Sequence, residues 1–379
     1  MVLSKRILFV VNHAGFFVSH RLAIAKAAQA RGYEVHVTAQ ADGKEAAILG
    51  AGLQFHPWEV TRASRGALTE ARALRSLDEV VRQVQPSLMH LVTMKGMLYG
   101  GLVARARAVP NVVFAVSGLG YVFLHEGAGA ALFRQALLLA FRAVMRRPEA
   151  HAIFQNDDDM RVFDTAGCLR SPTSFSMIRG SGVDLDAFPA TSVPSASPSV
   201  FVLPARMLKD KGVEEYVEAA RILRSRGVSA TFVLAGGTDP NPASVPEASL
   251  RAWDNAGLVE WKGHCTDMPA MLRRAFAVVL PSYREGLPKA LLEGAACGRP
   301  LIATDVPGCR DVVRHGQNGL LVPAKNAMAL ADAMHELIKN PAQAAAFGRQ
   351  ARRDAEAHFA LPSIVAAHIA VYTRLLPLG

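Results

Sequence analysis

Apolar runs of about four to eight residues, rich in Val, Leu, Ile and Phe, alternate along the chain with longer stretches of helical periodicity. Runs that are apolar throughout suit strands covered on both faces, and their alternation with helices marks βαβ units around a parallel sheet. The fold class expected is α/β. In the first half the pattern predicts strands at Arg6–Val11, Glu34–Thr38, Leu88–Val92, Val112–Val116, Ala152–Gln155 and Ser174–Ile178, with a helix over Phe17–Ala30 ended by Gly32. Phe188–Pro198, rich in Pro and Ser, has the composition of a connector. Beyond it the alternation restarts, with strands at Val200–Leu203, Thr231–Ala235, Val278–Leu280 and Leu301–Thr304 and helices at Val213–Ser225 and Pro288–Cys297. The expected organisation is an N-terminal domain at 1–187, a linker at 188–198, a second domain at 199–360, and a helix at 361–379 packing back on the first domain. Two doubly wound domains facing each other would leave a cleft between the carboxyl ends of their sheets, where open α/β sheets bind ligands.

Composition narrows the class. Of 379 residues, 51% are hydrophobic and 20% charged, which supports sizeable cores and excludes a disordered chain. Cys168, Cys265, Cys297 and Cys309 show neither C-x-x-C pairing nor zinc spacing, so no disulfide framework or structural metal is expected, and a reducing compartment fits. The formal charge of +10 would attract polyanions. No basic run interleaved with aromatics accompanies it, so nucleic acid is not an expected partner. Arg6–Val11 is too short for a secretory leader, and no segment is expected to cross a membrane. Gly127–Arg147 combines Leu132, Phe133, Leu137, Leu138, Leu139 and Phe141 with Arg134, Arg142, Arg146 and Arg147. It reads either as a helix docking on an anionic membrane surface or as a core helix with a basic edge. Asp157-Asp-Asp159 imitates a metal-binding D-x-D, but acids opening a helix after Asn156 follow from capping and the helix dipole.

The densest chemistry lies at Pro281-Ser-Tyr-Arg-Glu285-Gly-Leu-Pro-Lys-Ala-Leu-Leu-Glu293, just past a predicted strand. Pro288 and Gly298 frame a helix of about three turns, placing Glu285 in the loop and Glu293 on the helix. Gly286 permits close backbone approach, and the N–H groups around Leu287, Pro288 and Lys289 present positive charge suited to a diphosphate. Arg206 and Lys211 follow the strand Val200–Leu203, where two cations would neutralise a diphosphate leaving group; either could instead cap or solvate a loop. Gly236-Gly237 is compatible with another phosphate-facing turn. A glycosidase pair of Glu285 and Glu293 is disfavoured, since loop and helix placement would make the required facing separation accidental. Asn12-His-Ala-Gly15 lacks G-x-G-x-x-G, which disfavours an NAD dehydrogenase.

Pro281-Ser-x-x-Glu285-Gly-x-Pro288, Glu293, Gly298-x-Pro-x-Ile-Ala-Thr-Asp305, Gly308 and Gly316-x-Asn-Gly319-x-Leu-Val322 together resemble the retaining GT-B glycosyltransferases of family 4, as do Arg206-x4-Lys211-Gly212 and Gly180-Ser-Gly182-Val-Asp184. The resemblance implies a GT-B fold, two Rossmann-like domains across a cleft. It implies that Glu285 contacts donor-sugar hydroxyls, Glu293 holds the ribose, Arg206 and Lys211 stabilise the departing diphosphate, and Gly15 lets donor and acceptor approach. It also implies a UDP-sugar donor and no strictly required metal. In the first domain Lys95 and Ser117 lie at the ends of two predicted strands; the form Ser117-Gly-Leu-Gly-Tyr121 is similar to enzymes extending undecaprenyl-diphosphate-linked glycans. Many members carry a His where Ser117 stands, so a histidine contact to the sugar is not expected. Arg62 and Arg65 would clamp an acceptor pyrophosphate or form a solvated basic loop, and His20 would bind acceptor or serve structure.

The expected activity is transfer of a hexose or N-acetylhexosamine from a UDP-sugar to a lipid-diphosphate-linked glycan, on the cytoplasmic face of the membrane. A nucleotide-sugar 2-epimerase or a non-enzymatic nucleotide-sugar-binding protein would share the architecture.

Overall fold

A computed structural model of the chain describes residues 5–61, 66–119, 123, 127–195, 197–239 and 241–378. The chain divides into two units, Met1–Ser181 with Pro362–Gly379, and Gly182–Leu361.

The first unit runs β1 (Arg6–His13), α1 (Ala14–His20), α2 (Leu22–Ala30), β2 (Glu34–Gln40), α3 (Glu45–Gly50), β3 (Gln54–Pro57), α4 (Ala67–Val84), β4 (Leu88–Val92), α5 (Met94–Ala106), β5 (Asn111–Val116), α6 (Ala128–Met145), β6 (Ala150–Phe154), α7 (Asp157–Thr165) and β7 (Phe175–Met177). Its strands are all parallel in the order β3-β2-β1-β4-β5-β6-β7. The order reverses between β1 and β4, the switch point of a doubly wound sheet. Alternate side chains of β1 enter opposite cores. Leu8 and Val10 pack with α4–α7, and Ile7, Phe9 and Val11 pack with α1–α3.

The second unit runs β8 (Ser199–Leu203), α8 (Val213–Ser225), β9 (Ala230–Leu234), α9 (Glu247–Asn255), β10 (Glu260–Trp261), α10 (Met268–Arg274), β11 (Ala277–Leu280), α11 (Lys289–Ala296), β12 (Leu301–Thr304), β13 (Gly319–Val322), α12 (Ala327–Lys339) and α13 (Pro341–Asp354). Its parallel sheet follows β10-β9-β8-β11-β12-β13, the same winding with its switch point between β8 and β11. The last helix, α14 (Leu361–Leu375), returns to the first unit, where Tyr372 is fully buried against Phe9 and accepts or donates a hydrogen bond at His90 Nδ1 (2.8 Å).

Two expectations are corrected. The helix over Phe17–Ala30 is two helices, because Arg21 leaves helical geometry (φ −130°, ψ −15°) and buries its guanidinium beside Tyr372. Burial lowers the Arg21 pKa to about 10. The stretch 188–198 is no free connector at its start, since Phe188 is buried in the second unit and Thr191 is bound there. Thr191 N–H donates to Cys297 O (3.3 Å), and Arg299, itself fully buried, donates to Thr191 Oγ1 (2.7 Å), Cys297 O (3.0 Å) and Ala275 O (3.1 Å). By length and composition alone α6 would also pass as a membrane span. Phe141, Val144 and Met145 nonetheless bury one side of it in the first unit.

The Arg299 guanidinium ties β11's entry, the α11 C-terminus and Thr191 together through main-chain carbonyls. Arg299→Met would remove the guanidinium donors from those groups, leaving Thr191 N–H as the donor at Cys297 O, and is expected to destabilise the second unit by about 3 kcal/mol, read as a lowered urea midpoint, while Arg310→Met, on an exposed side chain, stays within about 0.5 kcal/mol.

Candidate active site

At the second sheet's switch point, the loops leaving the carboxyl ends of β8, β11 and β12 are hydrogen-bonded to one another. Tyr283 N–H donates to Asp210 O (2.9 Å), joining the β11 loop to the β8 loop. Glu285 N–H donates to Pro307 O (3.1 Å), joining it to the β12 loop, and Thr304 Oγ1 donates to Ser282 O. Glycine permits the close approaches. Gly212 has φ +71°, and a Cβ there would lie 2.2 Å from Pro281 O; Gly308 has φ +81°, and a Cβ would lie 2.6 Å from the carbonyls of Glu285 and Gly286.

Within this frame Lys211 Nζ donates to Glu285 Oε1 at 2.5 Å, and Ser282 Oγ donates to the same oxygen at 2.7 Å. Both charged side chains are largely withdrawn from solvent, 17% and 13% exposed. Both Ser282 and Lys211 converge on Oε1, so among the described residues Oε2 of Glu285 keeps its accepting capacity and Lys211 keeps two further N–H donors. A cation and a carboxylate so placed can receive an anion on one side and hydroxyl groups on the other.

α11 starts beside this pair. Pro288 is its N-cap rather than a first-turn residue, accepting from Leu291 N–H (3.0 Å), and Gly298 follows the helix at φ +71°. Leu287 buries its side chain in the core, so main chain, not side chain, is what Gly286, Leu287 and Pro288 offer toward the loop. Glu293 lies one turn on, 3.4 Å from Lys289 Nζ. Burial raises its pKa and Lys289 opposes the rise.

Arg206 sits on the β8 loop but pairs with Asp239 Oδ2 (2.5 Å) and is about half exposed, so it is not part of the Lys211–Glu285 contact. Gly236 has a packing reason of its own: a Cβ there would fall 1.7 Å from Ala205 O, and Trp261 Nε1 donates to Gly236 O (2.9 Å). Sequence reasoning missed Asp239 and also Tyr283, whose hydroxyl donates to Glu215 Oε1 (2.5 Å) under the Lys325 ammonium. Burial and the Glu215 carboxylate push the Tyr283 phenol up. No motif marks such pairs, since their partners are distant along the chain.

In the first unit the corresponding edge holds Gly15, whose N–H donates to Asp42 Oδ2 (2.8 Å) and whose Cβ would lie 2.9 Å from that oxygen. Lys95 pairs with Glu70 Oε1 (2.7 Å) and donates to Thr61 O (2.8 Å). His20 stacks on Phe16 (4.1 Å) and lies 2.5 Å from Ser19 Oγ. Ser117 is half-buried at the end of β5, before Gly118 at φ +109°. Arg62 and Arg65 lie outside the described residues. Thr93, at the β4–α5 turn, adopts φ +68°, ψ 159°, a region almost reserved for glycine, and donates to Asn12 Oδ1 near the end of β1 (2.5 Å). Strain of this kind at a switch point was invisible to periodicity. Asn156 caps α7 by accepting from Asp159 N–H (2.7 Å), and among the described residues no group of three His, Cys, Asp or Glu could hold a metal.

Two doubly wound units with a cation–carboxylate pair at the second switch point place the chain in the GT-B class of glycosyltransferases. It belongs to that family: residues 187–354 match the glycosyl transferases group 1 model and residues 6–147 the glycosyl transferase 4-like model. It is 28% identical over 359 residues, 91% of this chain and 93% of the relative, to the N,N'-diacetylbacillosaminyl-diphospho-undecaprenol alpha-1,3-N-acetylgalactosaminyltransferase of Campylobacter jejuni. It is 25% identical to the putative glycosyltransferase EpsD of Bacillus subtilis, over 93% of this chain and 92% of that one. Among solved structures, Anabaena HepE in complex with UDP and glucose matches with TM-score 0.78 at 18% identity, covering 98% of this chain and 100% of that one. Sucrose-phosphate synthase from Thermosynechococcus elongatus matches with TM-score 0.80 at 19% identity, over 98% and 99%.

The glycine at 212 is what lets Lys211 reach the β11 loop. Gly212→Ala is expected to lower stability by at least about 2 kcal/mol, measured by thermal unfolding, whereas Gly237→Ala, whose Cβ would meet nothing closer than 3.9 Å, is near neutral.

Proposed function

We propose that the chain is a retaining glycosyltransferase that moves a hexose or N-acetylhexosamine from a UDP-sugar to a lipid-diphosphate-linked glycan. The observation that carries the reading is the Lys211–Glu285 pair beside the start of α11 at the second switch point. The full-length likeness to an enzyme whose name states an undecaprenol-diphosphate-linked acceptor supports the acceptor class, and the likeness to a structure holding UDP supports the donor.

In this mechanism the diphosphate rests on the main-chain N–H groups around Gly286, Leu287 and Lys289, with Pro288 fixing the helix start. Lys211 neutralises the charge that grows on the diphosphate as its bond to the anomeric carbon breaks, and Arg206 adds a second cation from a more solvated position. Glu285 Oε2 accepts from sugar hydroxyls, and the Glu293 carboxylate accepts from the ribose. The acceptor hydroxyl attacks the anomeric carbon from the face the diphosphate leaves, and the departing phosphate oxygen takes the hydroxyl proton. Configuration is retained without a covalent enzyme intermediate, and no divalent cation is required. Gly15, His20, Lys95 and Ser117, with Arg62 and Arg65, make up the acceptor side.

Lys211→Ala is expected to lower kcat/KM about 10²–10³-fold and Arg206→Ala about tenfold, with UDP-sugar turnover followed by NMR of the anomeric proton in the product. A product of inverted configuration, or a 2-epimerised sugar formed without acceptor, would replace this mechanism.

Attachment to the cytoplasmic face of an anionic membrane through α6 is part of the same proposal. Leu132, Phe133 and Leu139 are 69%, 58% and 64% exposed, and Arg142 and Arg146 are exposed beside them. Arg147 drops out of the lipid-facing set, because its side chain folds inward onto Val109 O (2.6 Å) and Glu149. Basic residues at such a surface contribute roughly 1 kcal/mol each. Leu132→Ser with Phe133→Ser is expected to reduce flotation with phosphatidylglycerol vesicles at least about tenfold; undiminished flotation removes α6 as the attachment.

A further inference from the structure

The first unit carries a cavity of about 410 Å³ where β6 begins, bounded by the segment before β7 and by the end of α14. It opens at the amino edge of a sheet whose carboxyl edge holds the β1, β4 and β5 loops, so it is separate from the proposed acceptor residues. Its wall includes three arginines, Arg147, Arg170 and Arg374, with His151 and the hydroxyls of Ser171 and Thr173. No acidic side chain lines it. Glu149 pairs with Arg147 Nε at 3.2 Å, while among the described residues neither Arg170 nor Arg374 has a carboxylate within ion-pair reach. Three guanidiniums against one carboxylate leave an excess of two positive charges.

The buried groups point the same way. Arg147 is mostly buried, with Nη2 donating to Val109 O, yet its Nη1 has no hydrogen-bond partner among the described residues. Arg374 Nη2 lies 3.0 Å from His151 Nδ1 and 3.1 Å from Nε2, over a ring that is 2% exposed and also contacts Ser176 Oγ (2.9 Å). Burial and Arg374 hold His151 down at about 4, so it neither adds charge nor offsets it near neutral pH. The buried guanidinium nitrogen of Arg147 is costly to leave unpaired, and the two exposed arginines beside it add positive charge that no nearby carboxylate offsets.

We propose that this cavity is a binding site for a phosphate dianion, held by forked donors of Arg170 and Arg374 and by the Ser171 and Thr173 hydroxyls, with Arg147 adding positive charge through its remaining nitrogen Nη1. The charge excess matches one phosphomonoester. A lipid phosphate headgroup and soluble phosphate present the same chemistry, and the site lies just beyond the C-terminal end of α6.

The test titrates the full chain with inorganic phosphate by calorimetry. The Arg170→Gln/Arg374→Gln double variant, altered at two exposed side chains, is expected to bind phosphate at least about tenfold more weakly, while Arg75→Gln, altered at an exposed arginine of α4, binds as the unaltered chain does. Flotation with phosphatidylcholine vesicles containing phosphatidate separates the sources. A parallel loss in the double variant assigns a lipid headgroup, and unchanged flotation with weakened phosphate binding assigns a soluble anion. Equal phosphate affinity of the double variant and the unaltered chain overturns the site, as does an unaltered chain that binds no phosphate. Should the double variant fail to fold, phosphate protection of Arg170 and Arg374 from phenylglyoxal, compared with exposed Arg75, decides on the unaltered chain; absence of selective protection overturns the proposal.

Discussion

An ion pair largely withdrawn from water holds the centre of the second unit's loop cluster, and that withdrawal governs what the pair can do. Lys211 and Glu285 are far enough from solvent that removing either would strand the other, yet one oxygen of Glu285 takes both available donors and leaves the second oxygen accepting. Without a ligand the two charges cancel. A diphosphate would compete for the lysine and free the carboxylate for hydroxyl donors, so in the proposed mechanism one event both receives the leaving group and readies the sugar contact. A more exposed pair would be screened and would impose no such coupling.

That pair stays in place because the loops carrying it are fixed by main chain. Tyr283 N–H to Asp210 O and Glu285 N–H to Pro307 O join three loops from three strands, and Gly212 and Gly308 permit the approach by lacking Cβ atoms. Arg299 works one layer below, binding Thr191 and the end of α11. The rigidity expected of a site built for charge development thus begins with carbonyl positions rather than with side chains.

Much of this was legible along the chain. Leu88–Val92, Val213–Ser225 and Leu301–Thr304 match their predicted elements end to end, because a continuous apolar run or an amphipathic period bounded by Gly or Pro is a local signal. The Lys211–Glu285 partnership was half legible: both residues stood out, the first as a cation after β8 and the second as an acid after β11, but nothing local said that they touch. Asp239, Tyr283 and Thr93 were not legible. Asp239 lies 33 residues from its partner Arg206, and the strained turn at Thr93 has the composition of an ordinary helix start. The Phe17–Ala30 helix failed for a related reason. Its apolar period runs unbroken through Arg21, and only burial of that side chain against Tyr372, contributed by the far end of the chain, accounts for the interruption.

The two sheets share one winding, yet their switch points are finished differently, and the difference bears on specificity. At β8 and β11 the loops are braced by hydrogen bonds across three strands. At β1 and β4 the bracing rests on Thr93 Oγ1 to Asn12 Oδ1 and on Gly15 N–H to Asp42 Oδ2, with polar side chains where the other unit uses carbonyls. Main-chain bracing tolerates substitution at most positions as long as the glycines remain. Side-chain bracing changes with each residue that takes part. In the proposed reaction the donor diphosphate is the constant element and the acceptor glycan the variable one, so side-chain bracing belongs on the unit proposed to bind acceptor, where altering one polar residue would reshape the edge without loosening the grip on the nucleotide.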